Sequence, residues 1–298
     1  MDMIKPQRNG RLVIIGGGED RVDDKEILTK FVALSGGSDA RIIVITAAST
    51  VPEKMWQIYD EAFGALGVHD RAPLHIASRA NANDPQTARR MANATGIFMT
   101  GGDQKRLLAM IGGTAVASAM HQAVMANGAC IGGTSAGASA MSAHMLADGK
   151  AELNPEKGAV SLGAGLGLLH RIVIDQHFSE RHRLARLLSV VAQNPYLHGI
   201  GIDEDTALVI EFGVGIEVMG NGSVTLIDGR DMISNVADAA RRDSLELINV
   251  HLHMLPAGRR YCRANTDAAN AGDVPVAPEP LRYLIDIITQ KNAHHEDS

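Results

Sequence analysis

A Gly-x-Ser-x-Gly pattern at residues 133–137 is the feature of this chain with the clearest chemistry. An apolar run ending at Ile131 precedes it and a helical pattern follows, so Ser135 is predicted at a sharp turn between a strand and a helix. The flanking glycines let strand and helix pack closely, and the serine hydroxyl is then exposed above the sheet. This nucleophile elbow predicts a serine hydrolase, which also needs a base, an orienting acid and a selectivity pocket.

The candidate for the base is a histidine at the end of a predicted strand. His177 follows the apolar run 172–174 and the pair Asp175-Gln176, which places it where the carboxyl ends of the strands should form the site. His251 and His253 alternate along a later strand, a pattern typical of structural side chains. A surface position is predicted for the histidines in polar or helical surroundings, which are His69, His75, His121, His294 and His295.

The orienting acid is expected at another strand end, where Asp203-Glu204-Asp205 lies between the apolar runs 199–202 and 207–210. Three acids in a short gap are also typical of a solvated turn. If the segment is functional, one carboxylate turns inward and selects the histidine tautomer that can accept a proton. The spacing does not distinguish among the three.

An oxyanion hole needs two backbone N–H groups aimed at the developing negative charge. One is expected from Ala136, the residue after the serine, at a helix N-terminus whose dipole favours an anion. The second is expected from the loop Gly101-Gly102-Asp103, with Gly102 as the candidate donor. The alternative for that loop is a simple turn from strand to helix.

Arg181, Arg183 and Arg186 come shortly after His177 and are predicted on an amphipathic helix. They are typical of a solvated face, but arginines near a catalytic base also suit substrate carboxylates, because guanidinium binds carboxylate through two parallel hydrogen bonds. In a protein of net charge -6 the second interpretation is favoured.

The glycine run 16–18 resembles a dinucleotide-binding loop only superficially. Glu19, Asp20 and Arg21 follow it, so the third, spaced glycine of that motif is absent. The run therefore does not predict a nucleotide site.

Four apolar runs must position these residues, at 12–15, 42–45, 96–99 and 128–131. Helical patterns separate them, and each run ends in Gly, Ser or Thr, which predicts βαβ units and a mostly parallel sheet. Ligands of such sheets bind outside the carboxyl ends of the strands, so we expect the four following loops to meet at one site.

The second half of the chain changes character. Strands are predicted to begin at residue 172 and to cover 207–210. Between them an amphipathic helix is predicted, with Ser179 as its candidate N-cap and an apolar face formed by Leu184, Leu187, Leu188 and Val191. The runs 216–219 and 224–227 flank Gly220-Asn221-Gly222-Ser223, which predicts a hairpin. Residues 245–255 resemble a late strand.

We therefore predict one catalytic domain over residues 1–298, with its core at about 10–262. An exposed loop at 263–280, a helix at 281–290 and a polar tail at 291–298 follow the core.

Composition limits the class of protein. The net charge of -6 argues against binding to nucleic acid or anionic membranes, and no apolar run approaches the ~20 residues that span a bilayer. The N-terminus lacks the apolar core of a signal peptide. The chain has two cysteines, and Cys130 lies in an apolar run, so a disulfide framework is not expected. A cytoplasmic protein is the expectation.

Five segments of the chain together resemble the cyanophycinases, serine peptidases related to aspartyl dipeptidase (peptidase E). They are residues 12–20, 98–104, 132–138, 175–186 and 201–204. The resemblance covers about residues 10–210 and implies a three-layer α/β/α fold like that of class I glutamine amidotransferases, which is flavodoxin-like, with the C-terminal hairpin added.

The resemblance also implies a function and the roles of individual residues. The substrate would be cyanophycin, a polyaspartate with arginine joined to each β-carboxylate, and the product the β-aspartyl-arginine dipeptide. Ser135 would be the nucleophile, His177 the base and Glu204 the acid. The implied substrate pocket comprises Gln104, Asp175, Gln176, Arg181, Arg183 and Arg186. The resemblance also implies a homodimer that uses no metal or cofactor.

Two other functions remain open at this point. A dipeptidase cleaving after N-terminal aspartate would use the same triad, and a catalytically inactive module would hold the polymer without cutting it.

Overall fold

The structure is a computed structural model and describes residues 9–291. Its strands are β1 Arg11–Ile15, β2 Arg41–Ile45, β3 Asp70–Leu74, β4 Gly96–Met99, β5 Cys130–Thr134, β6 His144–Gly149, β7 Val160–Ala164, β8 Ile172–Gln176, β9 His198–Ile202, β10 Thr206–Glu211, β11 Gly215–Gly220, β12 Ser223–Asp228, β13 Ile233–Ser234, β14 Leu247–Ile248, β15 His251–Pro256 and β16 Arg260–Cys262. Its helices are α1 Glu26–Ser35, α2 Pro52–Ala65, α3 Arg79–Ala82, α4 Pro85–Ala92, α5 Gln104–Ile111, α6 Ala115–Met125, α7 Ala136–Ser139, α8 Leu184–Gln193, α9 Asp267–Ala271 and α10 Glu279–Ile288.

The central sheet has eight strands in the order β16-β11-β10-β1-β5-β4-β2-β3. From β1 to β3 all neighbours are parallel, whereas β10, β11 and β16 extend the sheet with antiparallel pairings. All four apolar runs predicted as strands are strands of this sheet; the last is shifted to Cys130–Thr134. Edge strand β3 carries Pro73, which lacks an N–H and is tolerated at an edge.

Helices cover both faces of this sheet, as the α/β prediction requires. Val13 and Ile15 of β1 pack with α1 and α2, while Leu12 and Ile14 face the opposite side, where α4, α5, α6 and α10 pack. This alternation follows from the two-residue repeat of a strand, and burial on both faces explains why the strands are continuous apolar runs.

A second sheet, in the order β15-β12-β9-β8, was not predicted. The predicted hairpin of 216–219 with 224–227 is wrong, because β11 pairs with β10 and β16 while β12 pairs with β9 and β15. Gly220 has φ 99°, and Cβ atoms on Gly220 and Gly222 would strike the 205–206 segment, so this turn carries the chain from one sheet to the other. The hairpin in this region is β10–β11.

Two smaller predictions also need correction. Ser179 does not cap the amphipathic helix, which begins at Leu184; the Ser179 hydroxyl donates to Asp203 instead. The segment predicted as an exposed loop at 263–280 contains α9, and Ala277 in it is buried. The predicted C-terminal helix is α10, and the predicted tail lies outside the described residues apart from Lys291.

Both cysteines are free and buried, in agreement with the expected absence of a disulfide framework. Within residues 9–291 no single helix is long and apolar enough to cross a membrane; α5 and α6 meet that criterion only as a pair bent by 98°.

We predict that Gly132→Ala lowers the free energy of unfolding by about 1–3 kcal/mol, the usual cost of overpacking a core. A Cβ at this position would lie 2.8 Å from Cδ2 of Phe98 and 2.9 Å from Cδ2 of Phe31, inside an aromatic cluster without free space. Chemical denaturation measures the change. Gly163→Ala is the matched strand control, since its nearest neighbour would be 3.5 Å away, and equal stability of the two variants would contradict the prediction.

Candidate active site

Ser135 lies at the sharp corner between β5 and α7, in a strained backbone conformation with φ 52° and ψ -110°. A Cβ on Gly133 would lie 2.7 Å from the carbonyl of Gly137, and one on Gly137 would lie 2.4 Å from the Met99 oxygen. Only glycine fits at these two positions. The elbow geometry predicted from the 133–137 pattern is therefore present.

His177 follows β8 and reaches the serine. Its Nε2 lies 3.0 Å from the Ser135 Oγ. Its own backbone has φ 47°, and its N–H donates to the Gly16 carbonyl at 2.8 Å, which holds the residue in that conformation. The ring lies directly against Gly17, where a Cβ would approach Cε1 to 2.3 Å. The glycine run after β1 thus provides the space that the imidazole occupies.

The three consecutive acids have three different sets of contacts. Asp203 is buried and accepts four hydrogen bonds, two from Ser179 and two from Ser223. Asp205 accepts from the Asp20 N–H at 2.9 Å and from a side-chain amide. Only Glu204 faces the imidazole, where its Oε1 accepts the hydrogen bond of His177 Nδ1. Of the three acids, Glu204 is therefore the one that can orient the histidine.

The hydrogen-bond chain from Glu204 through His177 to Ser135 has a defined direction. With Nδ1–H donated to the carboxylate, Nε2 presents its lone pair to the serine hydroxyl, as a general base requires. The order along the sequence is Ser, His, acid, which differs from the Ser, acid, His order of α/β-hydrolases. The arrangement can form an acyl-enzyme by nucleophilic attack.

The candidate oxyanion-hole segments lie beside the serine. Ala136 begins α7, and a Cβ on Gly101 would lie 3.6 Å from the Ser135 Cβ. Gly102 has φ 145°, and a Cβ built on it would lie 2.3 Å from the Ala48 oxygen. Glycine therefore allows this loop to pack closely against the Ala48 carbonyl. Ala136 and Gly102 as donors remain a prediction.

Two residues of the predicted substrate pocket, Asp175 and Arg186, are buried and bound to each other. Asp175 is 1% exposed and both its oxygens bind enzyme arginines: Oδ2 accepts from Arg186 Nε at 2.9 Å, and Oδ1 accepts from Arg186 and from Arg183 at 3.3 Å. Arg186 is buried too, and its third bond goes to the Gly149 carbonyl at 2.6 Å. Asp175 and Arg186 are thus occupied by contacts within the enzyme, and their role in substrate binding stays a prediction.

Arg181 and Arg183 are less buried than Arg186, although only 11% of the Arg183 side chain is exposed. Arg183 is partly buried and donates to the Gln176 carbonyl as well as to Asp175. Burial, together with the charges of Arg186 and Arg181, lowers the pKa of Arg183 to about 10, against the opposing effect of Asp175, so the side chain is cationic at neutral pH. Arg181 is exposed. Both precede α8, so the predicted placement of Arg181 and Arg183 on a helix is also wrong.

The two predicted glutamines have different contacts. Gln176 is buried, and its Oε1 lies 3.4 Å from the Ser135 Oγ. Gln104 begins α5 and donates to the Leu146 carbonyl at 3.2 Å, which connects the loop 101–103 to β6. Among residues 9–291, no group of three or more His, Cys, Asp or Glu side chains is arranged to hold a metal ion.

The sequence places the loop after β1 at the site, and residues 12–20 carry part of the family resemblance, but no role for the glycines 16–18 was inferred from it. A signal was available, because three glycines directly after a strand indicate a close approach of another group, here the ring of His177.

Comparisons with known proteins agree on one family. Residues 12–216 match the model of peptidase family S51. A cyanophycinase of Geminocystis herdmanii is 40% identical over 261 residues, covering 87% of this chain and 96% of that protein. A cyanophycinase of Trichormus variabilis is 36% identical over 263 residues, covering 88% of each.

Solved structures show the same fold at low sequence identity. A peptidase from an acI-B1 actinobacterium superimposes with a TM-score of 0.64 at 20% identity, covering 85% of this chain and 97% of that one. A putative peptidase E protein of Listeria monocytogenes gives a TM-score of 0.51 at 18% identity, covering 71% and 98%.

We predict that Gly17→Ala slows labelling of Ser135 by a fluorophosphonate probe by about a hundredfold, because displacing a catalytic group by ~1 Å has that effect. The new methyl group would displace the His177 ring. Gly37→Ala is the matched control: it is another glycine at positive φ, but nothing lies within 4 Å of its Cβ position. Similar labelling rates for the two variants would show that the close approach at Gly17 is unimportant.

Proposed function

The chain belongs to peptidase family S51, and from this premise we propose that it is a serine peptidase that hydrolyses cyanophycin. One observation carries the mechanism: Ser135, His177 and Glu204 form a continuous hydrogen-bond chain at the carboxyl ends of three strands. The substrate class is supported by cyanophycinases that are 36–40% identical over 85–88% of this chain.

The geometry supports a two-step reaction. His177 Nε2 takes the Ser135 proton while Oγ attacks the scissile carbonyl, and backbone N–H groups of the Ala136 and Gly102 segments stabilise the oxyanion. The imidazolium then gives its proton to the departing amine, leaving an ester on Ser135. A water molecule, deprotonated by His177, attacks this ester and restores the serine. Glu204 stabilises the positive imidazole in both steps.

The charged surroundings of the site support a substrate rich in carboxylates. Arg183 donates to the carbonyl of Gln176, the residue before His177, and is held by the buried Asp175, which also binds Arg186. Fixing the guanidinium in advance reduces the entropy lost on binding, which favours a bidentate contact with a substrate carboxylate. Arg181, exposed beside it, adds a second positive charge at the entrance.

We further propose that the product is the β-aspartyl-arginine dipeptide, released from a chain end, and that the protein acts as a cytoplasmic homodimer without nucleic acid or membrane partners. The two free, buried cysteines suit a reducing compartment. The dipeptide and the dimer rest on the family resemblance.

Ser135→Ala should abolish hydrolysis of purified cyanophycin, because no nucleophile remains to form the acyl-enzyme. Mass spectrometry of the products measures turnover, and a thermal melt shows whether the variant folds. The wild-type protein is tested in parallel on the dipeptide Asp-Leu. Turnover near the wild-type value in the variant would contradict the mechanism, and cleavage of Asp-Leu in preference to cyanophycin would make the protein a dipeptidase.

Arg183→Ala should lower kcat/KM for cyanophycin by about tenfold to a hundredfold, since losing a charged hydrogen-bonded contact costs roughly 1.5–3 kcal/mol. The fold should persist because Asp175 keeps both bonds to Arg186. A small uncharged ester, which does not need Arg183, serves as the reference substrate. Equal losses on both substrates would assign Arg183 a structural role.

A further inference from the structure

Glu19 is a buried carboxylate that the reaction described above does not use. It follows the glycine run after β1 and is 3% exposed. Its Oε2 accepts a hydrogen bond from the Thr134 hydroxyl, and its Oε1 accepts one from the Tyr59 hydroxyl, each at 2.5 Å. Among the ion pairs of residues 9–291 none includes Glu19.

Two buried hydroxyls thus stabilise this carboxylate directly, and the guanidinium carbon of Arg21 lies 5.8 Å from the centroid of the Tyr59 ring. Burial, reinforced by the charge of Glu19, raises the pKa of Tyr59 well above its usual value, so its hydroxyl remains a donor. Thr134 is 4% exposed and donates to the other oxygen. Hydrogen bonds to a charged group are stronger than neutral ones, and breaking either leaves a buried charge incompletely solvated.

One end of this network is attached to the elbow. Thr134 is the last residue of β5, and the next residue is the strained Ser135, whose N–H donates to Ile15 at 3.1 Å. Glu19 therefore holds the side chain directly before the corner, while the Ile15 carbonyl holds the backbone of the corner itself.

The other end is attached to a rigid part of the core. The Tyr59 ring packs against Phe98 at 4.8 Å and Phe63 at 6.0 Å between ring centroids, and all three side chains are fully buried. Movement of the carboxylate would require rearrangement of this aromatic cluster. The network thus connects the nucleophile corner to a fixed point in helix α2.

We propose that Glu19 is a positioning residue that, through Thr134, keeps the Ser135 hydroxyl in line with His177. It contacts neither substrate nor reacting atoms. The proposal rests on Ser135 being the nucleophile. Strain at the corner favours relaxation of the backbone, and a shift of ~1 Å in the nucleophile can cost a hundredfold in rate. The hydrogen bond to Glu19 opposes that relaxation.

The experiment compares Thr134→Val with Thr134→Ser. Valine keeps the shape but removes the hydroxyl, whereas serine keeps the donor. We expect Thr134→Val to lower kcat on cyanophycin by about tenfold to a hundredfold with KM within about twofold, and Thr134→Ser to restore most of the rate. The rate constant for fluorophosphonate labelling of folded protein should fall in parallel with kcat.

Thr46→Val is the matched control for loss of a buried hydroxyl. Thr46 directly follows β2 at the same edge of the sheet and is fully buried, but its hydroxyl bonds His75 Nδ1 at 2.8 Å, away from the elbow. This variant is expected to lose stability without changing the labelling rate constant of the folded fraction.

Glu19→Gln removes the negative charge of the side chain but keeps its shape. The amide oxygen of glutamine can accept from one hydroxyl, and the amide N–H can donate to the other, so kcat of this variant should stay within about tenfold of the wild-type value. Glu19→Ala removes both contacts, and its kcat should fall as far as that of Thr134→Val. Unchanged kcat in Thr134→Val, or losses that follow only the folded fraction, would overturn the proposal. If the wild-type protein is labelled at Ser135 but leaves cyanophycin intact, the proposed substrate is wrong. The positioning role of Glu19 is then still tested by the labelling rates of the variants.

Discussion

The backbone of the loop after β1 is the constraint on which the candidate site depends. The Ile15 carbonyl accepts the N–H of Ser135, that of Gly16 accepts the N–H of His177, and that of Gly17 accepts the N–H of Asp205, the residue after Glu204. One short segment therefore holds the three loops that bear the triad. The β8 and β9 loops are also joined by the ladder between these two strands, whereas β5 lies in the other sheet, so this segment fixes the Ser135 loop relative to the other two.

Strain and hydrogen bonding are paired at each of these loops. Ser135, His177 and Asp205 all have positive φ, a conformation that costs of order 1–3 kcal/mol for a residue with a side chain. Each of the three donates its N–H to the loop after β1, and these bonds stabilise the strained conformations. The strained conformations matter for function, because they direct the Ser135 hydroxyl and the His177 imidazole toward each other.

Two buried carboxylates near the site, Glu19 and Asp175, have similar roles. Glu19 is satisfied by two hydroxyls beneath the elbow, and Asp175 is satisfied by Arg183 and Arg186. Both fix the direction of a neighbouring group, because a buried charge with incomplete hydrogen bonding is costly and its partners are therefore held in place.

The sequence by itself determined the parallel strands, the elbow and the strand-end histidine, because apolar runs, glycine spacing and strand ends are local properties that the fold must respect. It also predicted the pocket arginines, but it could not separate Arg183 from the buried Arg186. Spacing left the acid open among residues 203–205 and the family resemblance implied Glu204, which the tertiary structure places against His177. Only the tertiary structure decided that the chain changes sheets at 220–223 and that Glu19 lies beneath the elbow. These outcomes depend on contacts between segments far apart in the chain, and residue spacing carries no information about such contacts.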